Sequence, residues 1–210
     1  MDATTPKENI LKRIRDALVA VPVGVPTTVD LESSVYPEPE GDMVVVFAEN
    51  FVAGGGNLIY CEDAATTLDS LQGLIARNHW EGQLYCGDGD VQALLDAACV
   101  EYVCKPVDAV LKKVGCSACR ALVAGGGSIV FDSRPGGRKM FARAETLLFF
   151  ATVDQVVPDL HTAMKTIRKN PGASMVSIWT GLSRFRDIDG ISIPAWGPEK
   201  VYLFLIDDIP

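Results

Sequence analysis

The stretch W-T-G-L-S-R-F-R-D-I-D-G-I-S-I-P-A-W-G-P, from Trp179 to Pro198, is the most telling segment of the chain. It places Gly181, Ser183, Arg184, Arg186, Asp187 and Asp189 directly after an apolar run from Met175 to Trp179. A strand that ends in Thr-Gly-x-Ser-Arg offers hydroxyl, backbone N–H and guanidinium groups together. In open α/β sheets, ligands bind at strand termini of this kind. A second turn, Trp196-Gly197-Pro198, then feeds an apolar strand from Val201 to Ile206.

Outward from this segment, helix and strand signals alternate. Ser174 to Trp179 reads as a strand. Thr146 to Val153 reads as a buried strand, followed by a helix from Asp154 to Lys169 with Asp154 as cap and Asn170-Pro171-Gly172 as its end. Val114 to Ala124, the Gly125-Gly126-Gly127 turn and Ser128 to Asp132 leave little room for a helix, so a hairpin or sharply bent pair is expected. Further upstream, Asn57–Cys61 and Gln83–Cys86 are expected strands, and Ala64–Arg77 and Asp90–Ala98 are expected helices. The continuous apolar run Met43–Phe47 suits a strand covered on both faces. Gly54-Gly55-Gly56 reads as a helix end that releases the chain into the strand at Asn57. Alternation of this kind implies parallel strands joined by crossover helices.

The N-terminal segment Thr5–Val19 has helical periodicity, with Ile10, Leu11, Ile14, Ala17 and Leu18 on one stripe. Pro22, Pro26, Pro37 and Pro39 then interrupt a connector from Val21 to Gly41. The expected organisation is a helical arm and connector over 1–41 and one α/β domain over 42–210.

Two motifs resemble a known family. Gly181, Ser183, Asp187, Ile188, Asp189, Gly197 and Pro198 follow the C-terminal pattern G-P-S-x-T-A-D-I-E … G-x-H-G-P of the LUD-domain proteins, in particular the lactate-utilisation protein C type. Val123-Ala124-Gly125-Gly126-Gly127-Ser128-Ile129-Val130 is similar to that family's I-A-E-T-G-T-L-V turn. The resemblance spans roughly Met43 to Asp208. It implies a three-layer α/β/α fold with a mixed, mostly parallel sheet, similar to the sugar-phosphate isomerase and coenzyme A transferase group. It also implies work beside iron–sulfur partner subunits that convert L-lactate to pyruvate. The departures are specific. The family's Glu falls on Gly125, its Thr on Gly126, its His on Trp196, and an Asp before the first motif on Arg120.

Composition narrows the function classes. A net charge of −8 argues against nucleic acid, since phosphate neutralisation needs surplus Lys and Arg. With 48% hydrophobic and 22% charged residues, the chain is of ordinary globular type. No apolar run approaches the ~20 residues of a membrane span. The polar N-terminus lacks the basic-then-apolar pattern of a secretory signal, so the cytoplasm is the expected location. Cys61, Cys86, Cys99, Cys104, Cys116 and Cys119 are read as reduced thiols. Cys116-Ser-Ala-Cys119 has a dithiol spacing, yet its strand-like setting places the two on opposite faces, and no metal is expected. His79 and His161, the only histidines, lie outside every motif and build no catalytic triad. No dinucleotide fingerprint or cluster motif is present, so no resident cofactor is expected.

The candidate ligand-binding set is therefore Gly125, Gly126, Gly127, Ser128, Gly181, Ser183, Arg184, Asp187, Asp189 and Gly197. Glycine turns bring bare backbone to an anion, and a guanidinium clamps a carboxylate through two parallel bonds. Arg184 with Arg186 is the strongest anion-binding element, and the basic loop Arg134, Arg138 and Lys139 is a further candidate. Catalytic residues are not identified. The reading is an accessory subunit, or a module that binds a small anionic ligand, in lactate utilisation. The alternative is a stand-alone enzyme acting on a small carboxylate, sugar phosphate or coenzyme A thioester, with Glu145, Asp187 or Asp189 replacing the missing Glu.

Overall fold

The computed structural model describes residues 6–20, 40–105, 112–133, 143–168, 173–186, 192–194 and 197–207. The chain divides into two units, Met1–Pro37 and Glu38–Pro210. The first holds helix α1 (Pro6–Ala20), on which Ile10, Leu11 and Ile14 are exposed.

The second unit contains α2 (Met43–Ala53), β1 (Asn57–Cys61), α3 (Ala64–Asn78), β2 (Leu84–Cys86), α4 (Gly89–Ala97), β3 (Tyr102–Val103), β4 (Val114–Ala118), β5 (Ala121–Val123) and β6 (Ser128–Asp132). It continues with β7 (Thr146–Thr152), β8 (Val156–Val157), α5 (Leu160–Arg168), β9 (Val176–Trp179), β10 (Arg184–Arg186), β11 (Ser192–Pro194) and β12 (Lys200–Ile206). Six strands form one sheet in the order β1-β12-β7-β4-β2-β3, with every neighbouring pair parallel. This is a mixed α/β fold, and its main sheet is of the parallel kind that the alternating pattern implies.

Alternation along the central strands divides the core. On one face Leu148, Phe150, Phe204 and Ile206 pack with Leu71, Leu74 and Ile75 of α3 and with Val91 and Leu95 of α4. On the other, Leu147, Phe149, Leu203 and Leu205 meet Phe47 and Phe51 of α2 together with Leu122, Ile129 and Phe131. Phe131 and Phe149 have ring centroids 4.8 Å apart. The covering layer on this side therefore includes a second sheet, β8-β5-β6-β9, as well as a helix. The outer face of that small sheet, at Ala121, Val123 and Val130, is covered by Ala163 of α5.

Four expected elements are corrected. Met43–Phe47 is the first half of α2, not a strand. The Asp42 side chain accepts from Val44 N at 2.8 Å, and the pattern continues to buried Phe51 one turn beyond Phe47. A short apolar run does not separate a buried strand from a buried helix, and here the cap settles it. Val114–Ala124 is not one strand but two, β4 in the main sheet and β5 in the small one. The expected hairpin joins β5 antiparallel to β6. The helix expected from Asp154 begins only at Leu160. Val153–Gln155 is a 3-10 turn, β8 follows, and Pro158 precedes Asp159, whose carboxylate accepts from Thr162 N at 2.8 Å. Finally, β9 pairs antiparallel with β6 and is no member of the parallel sheet. Asn170-Pro171-Gly172, the basic loop at 134–139 and most of the 21–41 connector lie outside the described residues.

Candidate glycine-rich junction and the opposite sheet edge

Small residues dominate the meeting of α2, the β5–β6 turn and the end of β9. Gly55, at φ +89°, turns the chain from α2 towards β1, as expected of the Gly54–Gly56 run. Gly127, at φ +56°, lies directly against the last turn of that helix. A Cβ there would stand 2.3 Å from Phe51 N and 2.4 Å from Asn50 C, so only glycine fits. Asn50 Nδ2 donates to Ala124 O at 2.9 Å and fastens the same turn. Phe51 packs on Trp179 with centroids 5.3 Å apart.

The two sequence motifs meet here. Ser128 Oγ lies 2.8 Å from Thr180 Oγ1, and Leu182 N donates to Gly54 O at 3.0 Å across Gly181, which has φ +103°. Ser128 is 6% exposed, whereas Gly125 and Gly126 are exposed at the tip. The tip backbone is partly committed internally. Gly125 N donates to Pro158 O at 3.1 Å and Gly127 N to Ala124 O at 3.3 Å. The groups with chemistry at this place are thus the Ser128 and Thr180 hydroxyls, with exposed Ser183 and the backbone of β10 following at once.

The remaining described members of the expected set are Gly197 and Arg184. A Cβ on Gly197 would meet nothing within 4 Å. Arg184 and Arg186 occupy alternate positions of the β10–β11 ribbon, opposite Pro194 and Ser192. Asp187, Asp189 and Trp196 lie outside the described residues.

The junction stands at the edge of the parallel sheet where strands begin, because α2 and its glycines lead into the first residue of β1. The opposite edge, where the parallel strands end, carries a polar group that motif reasoning passed over. Asp88, two residues beyond β2 and 5% exposed, accepts from Asp90 N and Ala118 N, both at 3.2 Å. It caps α4 and ties β2 to β4. Gln155 donates from Nε2 to Cys119 O at 3.2 Å and accepts from Thr152 N at 3.0 Å. Arg120 Nε binds Asp132 Oδ2 at 3.0 Å, with the Asp132 side chain 0% exposed and that of Arg120 29%. The legible signal was the charged residue directly after an apolar strand; a single sequence does not show that Asp132 is its partner.

The cysteines flank this edge. Cys116 packs on the α3–α4 side and Cys119 on the other, as strand alternation requires. Burial pushes the Cys86 thiol up to about 12 and holds Cys116 and Cys119 well above the ordinary range. All three are protonated at neutral pH. Among the described residues no group of three metal-ligating side chains occurs. His79 is the left-handed C-cap of α3 through its backbone N–H, and His161 lies exposed on α5.

No model of a known family matches the sequence, and no curated protein does. A solved structure does share the fold. It is a DUF162 family protein from Deinococcus radiodurans, 13% identical, with a TM-score of 0.55, aligned over 81% of this chain and 99% of that one.

Proposed function

We propose that this chain is a LUD-domain protein of the lactate-utilisation type. In this reading it is an accessory subunit that binds a small carboxylate and acts in the cytoplasm beside iron–sulfur partners that oxidise L-lactate to pyruvate. The fold likeness to a DUF162 protein supports the reading, because DUF162 is the LUD-domain family. The observation that carries the site is the 2.8 Å contact between Ser128 and Thr180, which joins two motifs separated by about fifty residues of sequence.

The proposed binding set is Gly125, Gly126, Gly127, Ser128, Gly181, Ser183 and Arg184, with Asp187, Asp189 and Gly197 from the same motif. Ser128 and Thr180 offer hydroxyls that both donate and accept, suited to a carboxylate with an adjacent oxygen. Arg184 supplies the cation that balances the carboxylate charge. With glycines at 125 and 126, no acid or base stands at the turn, which favours binding over stand-alone catalysis.

Calorimetric titration of the purified chain with L-lactate tests the binding. A binding component in the wild type that a Ser128→Ala/Thr180→Val variant loses supports the reading; no binding by any small carboxylate, or a titration unchanged in the variant, sinks it.

A further inference from the structure

We propose a second, separate binding site for a small carboxylate at the strand-end edge of the parallel sheet, anchored by Arg120. It stands on different residues from the glycine-rich junction and does not depend on it.

Position is the first argument. The connection leaving β2 enters α4 on one face of the sheet, while the connection leaving its neighbour β4 enters β5 on the other. Adjacent strands whose connections part in this way leave a crevice at their carboxyl ends, the place where open parallel sheets bind ligands. Arg120 sits two residues past β4, at that crevice.

The second argument is the state of the guanidinium. Arginine carries five N–H donors, and Arg120 uses Nε to reach Asp132 Oδ2. Its two terminal NH2 groups make no hydrogen bond to a described residue, and the side chain is 29% exposed. Asp132, fully buried, holds the group at one orientation and leaves the fork free for a carboxylate, which it grips through two parallel bonds.

The third argument is cost. Burying a carboxylate needs compensation, and an apolar pair would pack beside Ala121 and Val130 at least as stably. Packing does not explain why a charged pair stands there; anchoring an anion does. The nearby Asp88 carboxylate opposes this little, because it is already satisfied by Asp90 N and Ala118 N at the amino end of α4.

The test titrates the full chain with acetate, L-lactate and inorganic phosphate. The Arg120→Gln/Asp132→Asn double variant removes both charges of this ion pair. It is expected to keep the wild-type circular dichroism and to lose carboxylate affinity at this site at least tenfold, with phosphate bound more weakly than acetate by the wild type. Arg120→Lys keeps the charge without the fork and should fall between. A measurement on the wild type alone guards against misfolded variants: the Arg120 Nε–H and Gln155 side-chain amide NMR signals should move as acetate is added. The site is overturned if those signals stay still at saturating acetate, if the folded double variant binds as the wild type does, or if phosphate binds more tightly than acetate. Loss of all carboxylate binding through Ser128→Ala/Thr180→Val alone would also overturn it, while leaving the junction reading intact. Loss through the Arg120 variants alone would do the reverse.

Discussion

Glycine 127 and the buried thiols show how much single residues decide. Gly127 has both a positive φ and a neighbouring backbone within 2.3 Å of any Cβ, whereas Gly197 has φ +91° and open space. Gly127→Ala is expected to cost about 3 kcal/mol, from backbone strain plus displacement of the α2 terminus. Gly197→Ala should cost only ~1 kcal/mol, from strain alone. Urea unfolding midpoints of the two variants check the difference. The thiols give a pH prediction. The folded state retains the Cys86 proton to about 12, while an unfolded thiol loses it near 8.5. That stabilisation is complete below the unfolded value and is lost as pH rises towards the folded one. Wild type should therefore lose about 1.4 kcal/mol per pH unit across that window relative to Cys86→Ala, measured by unfolding at pH 8, 9.5 and 11. Thiol labelling of native protein at pH 8 should modify exposed Cys99 and Cys104 first and leave Cys86, Cys116 and Cys119 untouched until denaturant is added.

Capping groups decided the elements that apolar patterning left ambiguous. Asp42 makes Met43–Ala53 a helix, and Asp159 after Pro158 delays α5 to Leu160. Asp88 does more than cap, because its second oxygen accepts from Ala118 N in the neighbouring strand. Asp88→Ala should cost about 2–3 kcal/mol, from the lost cap and an orphaned buried N–H. Asp42→Ala, at an exposed cap, should cost about 1 kcal/mol. Thermal unfolding of both variants tests the ranking; equal losses would mean that the β2–β4 tie contributes nothing.

At the scale of the whole molecule, two sheets share one core through Phe149 and Phe131, so damage on one should be felt by both. Phe149→Ala is expected to cost about 3–5 kcal/mol and to leave a single cooperative transition rather than two. Denaturation followed by tryptophan fluorescence and by circular dichroism should give one midpoint. The proposed accessory role predicts an activity result as well. Electron removal from lactate needs a redox cofactor, so the purified chain alone, given L-lactate and an artificial electron acceptor, should form no pyruvate. Sustained turnover would move the protein to the stand-alone enzyme reading. Restoration of turnover by added cysteine-rich partners would support the subunit reading.

The sequence by itself determined the α/β character, because strands buried on both faces must be apolar throughout and the helices between them must be amphipathic. Ala64–Asn78, Thr146–Thr152 and Lys200–Ile206 are legible for that reason. It also marked the Gly125–Ser128 and Thr180–Ser183 turns, since glycine and hydroxyl residues after apolar runs have few other uses. Only the tertiary structure decided that these turns touch, that β5, β6, β8 and β9 leave the main sheet for a second one, and that both turns stand where the parallel strands begin. It alone paired Arg120 with Asp132 where they end. Periodicity reports which face of an element is buried but not which neighbour buries it. Sheet membership and edge are set by contacts between residues far apart in the chain, and one sequence carries no record of those pairings.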